Sequence, residues 1–228
     1  DDACAVAFAL KAKARQPDTS IEVVTMRPTS VTPHMEDLLR LGVDRGTIIS
    51  DKLFAGSDTY ATSKVLSKYL SSLEMDCLLS GTHAIDGDTS HVPAQLGYCL
   101  SMNQISGIIK INEDEFSKTK AVIEVETESA VTSYAVELPA VLSLTRESKY
   151  KLPYVTRQAI NLDVTDRLMV ISNLHLGFDA EEVGLQGSPT KVVKTYTKEF
   201  EQKGGQLVQV DEAGINTVYN YLKDKGFV

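Results

Sequence analysis

Apolar and polar positions alternate in two different rhythms along the first half of the chain. Residues 2–14, DACAVAFALKAKA, place Val6, Ala9 and Leu10 at helical spacing, and the IEVVTM run at 21–26 is short and rich in β-branched residues. The pair recurs: Met35, Leu38 and Leu39 mark a helix and GTIIS (46–50) a strand. Ala61, Val65, Leu66, Tyr69 and Leu70 mark the next helix and DCLLS (76–80) the next strand. Apolar strands separated by helices predict a mostly parallel sheet with right-handed crossovers, hence an α/β fold flanked by helices. After one more helix, from about Thr89 to Leu100, the rhythm changes. SGIIKI, KAVIEVE, VTSYAVE and AVLSLT follow one another with no helical pattern between them, which predicts antiparallel strands added to the parallel sheet. A nucleotide-binding α/β domain is thus expected over residues 1–146.

From Lys149 onward the apolar density falls. Turn signals such as LQGSPT and KGGQ are scattered through the segment, and a last helical pattern runs from about Glu212 to Lys225. So long a stretch with so little periodicity exceeds an ordinary loop in a compact domain. Residues 147–228 are therefore expected to form an extended C-terminal arm that needs a partner surface, with a small independent domain as the alternative.

Composition narrows the partners. With 23 basic and 31 acidic residues the net charge is −8, which argues against a general nucleic-acid binder, because phosphate backbones are held by clustered Lys and Arg. No apolar run is long enough for a membrane span. Three cysteines, Cys4, Cys77 and Cys99, lack C-x-x-C spacing, so neither a disulfide framework nor a zinc site is suggested, and a reducing compartment such as the cytoplasm fits. The chain opens in a helix at Asp1, and a segment upstream of it is expected.

In open α/β sheets ligands bind beyond the carboxyl ends of the strands, where helix N-termini accept phosphates. Three loops occupy such ends: TMRPTS (25–30), SDKLFAGSDT (50–59) and SGTHAIDGDTSHV (80–92). In the second, Gly56 would permit close backbone approach, and Ser57, Asp58 or Thr59 would cap the following helix; without paired glycines it matches the S-G-G-x-D-S pyrophosphate loop only faintly. In the third, His83 and His91 stand eight apart with Asp86 and Asp88 between them. Helical metal pairs want a spacing of roughly three or four, and no nucleophile accompanies the histidines for acid/base work. A phosphate reading needs only Gly87, the hydroxyls of Thr89 and Ser90 and the start of the next helix, with Asp86 or Asp88 capping it or accepting from a ribose.

The third loop, GTHAIDGDTSHV, resembles the G-x-Q-A-x-D-G-D-T-x-Q-V nucleotide loop of the electron-transfer flavoprotein β subunit. DACAVAFALKAKA, VVTMRP…LLRLGVDRGTIISD and ELPAVLSLT are similar to further segments of that family, so that residues 2 to about 195 are covered. FAGSDTYAT and VGLQGSPTKV look like the subgroup whose β subunit carries FAD and meets NADH, rather than the subgroup that holds AMP there. The resemblance implies a heterodimer with an FAD-bearing α subunit, electron exchange with an acyl-CoA or other dehydrogenase, possible flavin-based electron bifurcation, and a cytoplasmic or mitochondrial-matrix location. It also implies a first strand upstream of the opening helix and a C-terminal arm wrapped on the partner. By residue-wise match it assigns Met26, Arg27, Gly81, Thr82, His83, Ala84, Asp86, Gly87, Asp88, Thr89, His91 and Val92 to the nucleotide. Ser57, Asp58 and Thr59 fall to its pyrophosphate or to NADH. Arg27 stands where the family has glycine, and His83 and His91 where it has glutamine. A structural AMP-binding module without redox role, or a β-like protein with another partner, are the competing expectations.

Overall fold

The computed structural model describes residues 1–85, 87, 89–191 and 207–227. Contacts divide the chain into two compact units, Asp1–Lys191 and Val192–Val228.

In the first unit, α1 (Asp2–Arg15) carries Asp2 in its first turn and Lys13 and Arg15 in its last, the charge order its dipole favours. Its alanines let it be buried on two sides. Ala5, Phe8 and Ala12 join one core with Ile108, Ile123, Leu142 and Leu144, while Val6, Ala9 and Leu10 meet another around Ile21, Leu39 and Val43. Small side chains with high helix propensity suit a helix packed this closely. The alternation then proceeds as the periodicity predicts: β1 (Glu22–Met26), α2 (Thr32–Arg40), β2 (Arg45–Ile49), α3 (Thr59–Leu70), β3 (Cys77–Gly81) and α4 (His91–Cys99). The strands β4 (Asn103–Ile111), β5 (Lys120–Glu126), β6 (Val131–Glu137) and β7 (Ala140–Leu144) follow.

Among the described residues the strands form two sheets, β1-β2-β8 and β3-β7-β4-β5-β6, with β8 spanning Leu168–Ile171. Only β4–β5 and β5–β6 pair antiparallel. The expectation of four added antiparallel strands is corrected at β7, which lies between β3 and β4 and runs parallel to both, with Gly81 opposite Leu144 and Asn103 opposite Ala140. All five residues of AVLSL are buried. A mostly apolar run buried at every position marks a strand covered on both faces, which belongs in the middle of a parallel sheet.

The compact unit extends past the boundary expected at 146. Leu168–Ile171 aligns parallel to β2, Gly46 opposite Leu168 and Ile49 opposite Ile171. Val164 is buried with Ile21, Leu39 and Val43, and Leu176 and Val183 with Ile49, Phe54 and Val65. Two single-turn helices, α5 (Asn173–Leu176) and α6 (Gly184–Gly187), lie in this returning segment. Of the expected arm, residues 192–206 lie outside the described residues. In the second unit α7 (Glu212–Asp224) is capped by Asp211, whose carboxylate accepts from Gly214 N at 2.8 Å. Ile215, Val218, Tyr219 and Tyr221 are exposed on it.

Candidate nucleotide site

β3 ends at Gly81, and the backbone that follows is fixed by its own N–H groups. Gly81 N donates to Asp2 Oδ1 at 2.8 Å, His83 N to Asp1 Oδ2 at 3.1 Å, Thr82 N to Leu144 O and Ala84 N to Thr89 O, both at 2.9 Å. The Ala84–Thr89 bridge closes the loop. A Cβ on Gly81 would stand 2.6 Å from both Asp1 Cβ and Asp2 N, so this glycine is required by the start of α1. Gly87, by contrast, has among the described residues only the Thr89 hydroxyl near its missing Cβ, at 3.7 Å.

A chain of hydroxyls ties the loop to the sheet beneath it. Gly107 N donates to Thr82 Oγ1 at 3.3 Å, Thr82 Oγ1 to Ser143 Oγ at 3.3 Å, and Ser143 Oγ to Ser106 Oγ at 3.0 Å. Gln104 Nε2 also donates to Ser106. Ser143 is fully buried, and satisfied buried hydroxyls of this kind fix one arrangement of the strands that carry them. Next to the chain, Ser80 Oγ is buried with no hydrogen-bond partner among the described residues, an acceptor and donor left for a ligand atom.

The two helix starts nearest these strand ends differ. At α3, Asp58 Oδ1 accepts from Ala61 N at 3.0 Å, and its Oδ2 accepts from Thr190 N at 2.9 Å and Thr190 Oγ1 at 2.7 Å. Asp58 N itself donates to Ser188 Oγ, and Ser57 Oγ to Phe54 O, both at 2.8 Å. In the expected pyrophosphate loop at 57–59, Asp58 is thus engaged by Ser188 and Thr190, and Ser57 by Phe54. Gly56 faces Leu185 Cβ, 3.1 Å from where its own Cβ would be. At α4 the N-cap is Ser90, with no side-chain cap bond, and Pro93 stands in the first turn. First-turn amides have no partner inside a helix; among the described residues no side chain caps those of His91 and Val92, which can meet an anion (Pro93 has no N–H), while the start of α3 is closed by Asp58.

A cavity of about 580 Å³ opens beside the α4 start, lined by Asp1, Thr82, His83, Ile85, Ser90, Thr145, Arg146 and Glu147. That volume lies in the range of ligand pockets, roughly 300–1,000 Å³. Of the residues matched from the sequence, Thr82 and His83 line it. Ala84 and Thr89 close its loop, and His91 and Val92 begin α4. Asp86 and Asp88 lie outside the described residues. Met26 packs into the core with Ile49 and Phe54, while Arg27 is exposed at the end of β1, its N donating to Ile49 O at 3.2 Å. Asp1, Thr145, Arg146 and Glu147 escaped the sequence reading. Their signal was present, since TRE follows AVLSL directly, but finding it required knowing that β7 runs beside β3.

Carboxylates accepting from backbone amides hold the returning segment as they hold the loop. Asp51 accepts from Leu53 N at 2.9 Å and Asn173 N at 3.0 Å, and these two amides keep its carboxyl below the usual range. At Asp58 burial pushes the carboxyl up, but the Ala61 and Thr190 donors outweigh it and the net direction is down. A carboxylate depressed in the folded state stabilises above its unfolded pKa, about 4, and that contribution is lost as pH falls through the lower folded value. Residues 173–190 are therefore expected to gain hydrogen-exchange rate below about pH 4, ahead of β7. Asp58→Asn should raise the exchange of the Thr190 amide already at neutral pH, by about fivefold for a lost cap of about 1 kcal/mol. Cys77 takes no part in chemistry here, because burial first and the Asp76 carboxylate second push its thiol up to about 12.

Residues 1–162 match the electron transfer flavoprotein domain family. The chain is 32% identical over 184 residues to the electron transfer flavoprotein subunit beta of Thermoanaerobacterium thermosaccharolyticum, covering 81% of this chain and 70% of that one. It is 30% identical over 233 residues to caffeyl-CoA reductase-Etf complex subunit CarD of Acetobacterium woodii, covering 100% and 86%. To acryloyl-CoA reductase electron transfer subunit gamma of Anaerotignum propionicum it is 28% identical over 232 residues, covering 99% and 85%.

Proposed function

The chain belongs to the electron transfer flavoprotein β-subunit family, and on that premise we propose that it holds the adenine-nucleotide part of FAD in the cavity between β3 and α4. It is an electron-transfer subunit of the β type. Its reading as one half of a heterodimer rests on the family and on relatives named as subunits of a caffeyl-CoA reductase-Etf complex and of an acryloyl-CoA reductase. The partner in this reading is an FAD-bearing α subunit, and the complex exchanges electrons with an acyl-CoA or other dehydrogenase in the cytoplasm. Among the described residues no helix is long and apolar enough to cross a membrane.

The observation that carries the nucleotide reading is the open first turn of α4 beside the cavity, with the buried, unpartnered Ser80 hydroxyl at the end of β3. First-turn amides suit a phosphate, and Ser80 suits a ribose or base edge. These groups fit an adenine nucleotide. The matched residues then divide by task. Thr82, His83, Ala84, Gly87, Thr89, His91 and Val92 surround the nucleotide, and Gly81 and Met26 shape the strand ends beneath it; Asp86 and Asp88, assigned by the same match, lie outside the described residues. Asp58 acts one step away, by fixing Ser188 and Thr190, because its polar groups are already engaged, with Ser57 bonded to Phe54 O before it and Thr59 starting α3 after it.

A bound FAD would supply hydride uptake from NADH and release of electrons singly to a second flavin, the chemistry of bifurcation. The chain's own residues bind, orient and exclude water, and no side chain here needs to act as acid or base. The FAD reading is favoured over AMP by FAGSDTYAT and VGLQGSPTKV, the two stretches that resemble the FAD/NADH subgroup, which Asp58, Ser188 and Thr190 bring into contact. The deciding measurement is the visible spectrum and nucleotide content of the purified complex with its α subunit. Two flavins per heterodimer are expected; one flavin with AMP would overturn the redox role, and no adenine nucleotide at all would overturn the site.

A further inference from the structure

We infer that Arg146, the residue that follows the end of β7 by two positions, is the cation that neutralises the nucleotide's phosphate in this cavity. The inference rests on the site proposed above and adds a binding residue to it. Among the described residues lining the cavity, Arg146 is the one lysine or arginine, and it stands with two carboxylates, Asp1 and Glu147. The chain as a whole carries −8. A phosphate entering this field meets net repulsion unless a cation moves to it, and a guanidinium is suited to the task because it meets phosphate oxygens in a bidentate fork.

The geometry shows how Arg146 is kept in place. Its Nε lies 3.5 Å from Asp1 Oδ1, with the arginine side chain 66% exposed and the aspartate 10% exposed. The other oxygen of the same carboxylate accepts from His83 N at 3.1 Å. Asp1 thus bridges the loop amide and the arginine, and it keeps the first partner if the second departs. The Asp1–Arg146 contact is long and made by a mostly exposed side chain, so it holds little energy. Exchange of that contact for a short, charge-assisted bond to a phosphate is favourable. The backbone that carries the arginine is well anchored: Thr82 N donates to Leu144 O at 2.9 Å and Thr145 N to Ile108 O at 3.0 Å. Lys149, the next residue after the short turn Arg146–Ser148, closes that turn with a left-handed backbone, φ 58°.

The test compares the purified complex carrying Arg146→Gln, Arg146→Lys or Arg27→Gln with the unaltered one, using ADP and adenosine as probes after removal of bound nucleotide. Arg146→Gln is expected to weaken ADP binding at least tenfold, as a charge-assisted bond would, and to flatten its dependence on salt. Adenosine, which has no phosphate, should bind all three variants and the parent alike. Arg146→Lys should recover part of the ADP affinity because a point charge remains, and Arg27→Gln should lose less than Arg146→Gln. Equal loss of ADP and adenosine would mean a merely structural role, and unchanged ADP binding in Arg146→Gln would mean no role; either overturns the inference. A parent complex that binds neither probe would instead overturn the site itself.

Discussion

Gly81→Ala is expected to cost about 3 kcal/mol of stability, at the upper end of the range for overpacking a closed position, and to remove nucleotide binding with it. The added methyl would stand 2.6 Å from Asp2 N and from Asp1 Cβ, and 2.9 Å from Asp1 C. Backbone atoms cannot step aside as a flexible side-chain end can, so either α1 retreats from β3 or β3 leaves β7. Retreat of α1 withdraws Asp2 Oδ1 from Gly81 N and Asp1 Oδ2 from His83 N. It also loosens Ala5 and Phe8 from the core they share with Leu142 and Leu144. Departure of β3 breaks the Thr82–Ser143 link. For a chain of this size such a loss lowers Tm by roughly 10 °C, which differential scanning calorimetry of the complex would read. Gly87→Ala is the comparison: with only the Thr89 hydroxyl among the described residues near it, at 3.7 Å, it should leave Tm within about 1 °C, in keeping with a surface change. A Gly81→Ala protein as stable as the parent would show that α1 is not held against β3.

The contrast between these two glycines shows what a sequence can and cannot disclose. Both stand in one motif, and the family resemblance assigns both to the nucleotide. Only the neighbour decides, and the neighbour of Gly81 is eighty residues away in the chain. Local patterns were legible. Helical spacing placed α1, α2, α3 and α4, and short apolar runs, most of them β-branched, placed every strand up to β7. Pairing partners were not legible, because strand order depends on contacts across the whole chain rather than on a run's own period. LMVI at 168–171 is a short apolar run in a polar stretch, and nothing local says that it continues the sheet of β2. AVLSL carried a usable mark, its unbroken burial, but its succession to VTSYAVE suggested a hairpin that the chain does not make. The same long-range placement hid Thr145, Arg146 and Glu147 from the sequence reading of the site, and it hid the partners of Asp58. That residue keeps its expected capping role; what the sequence did not disclose is that Thr190 shares the carboxylate.

Ser90→Glu is expected to weaken nucleotide binding by roughly a hundredfold, about 2.7 kcal/mol, while leaving the fold intact or slightly more stable. Ser90 caps α4 without a side-chain bond and lines the cavity. A carboxylate there reaches the first-turn amides of α4 and satisfies them, and a negative charge at a helix N-terminus adds about 0.3–1 kcal/mol to helix stability. The same carboxylate stands where the phosphate is proposed to bind, so the ligand loses its donors and gains a like charge, a juxtaposition that costs several kcal/mol. Two opposite signs from one substitution make the measurement selective: Tm should hold or rise while the ADP dissociation constant climbs. Raising the ionic strength should narrow the difference between variant and parent, since the repulsive part is screened over about 10 Å at 0.1 M salt. The lost amides are not screened, so part of the difference should persist. Ser90→Ala separates the two contributions: it removes a hydroxyl that caps nothing, adds no charge, and should change ADP affinity less than threefold. If Ser90→Glu binds ADP as the parent does, the phosphate does not sit at the start of α4, and the start of α3, where Asp58 would have to give way, becomes the site to test.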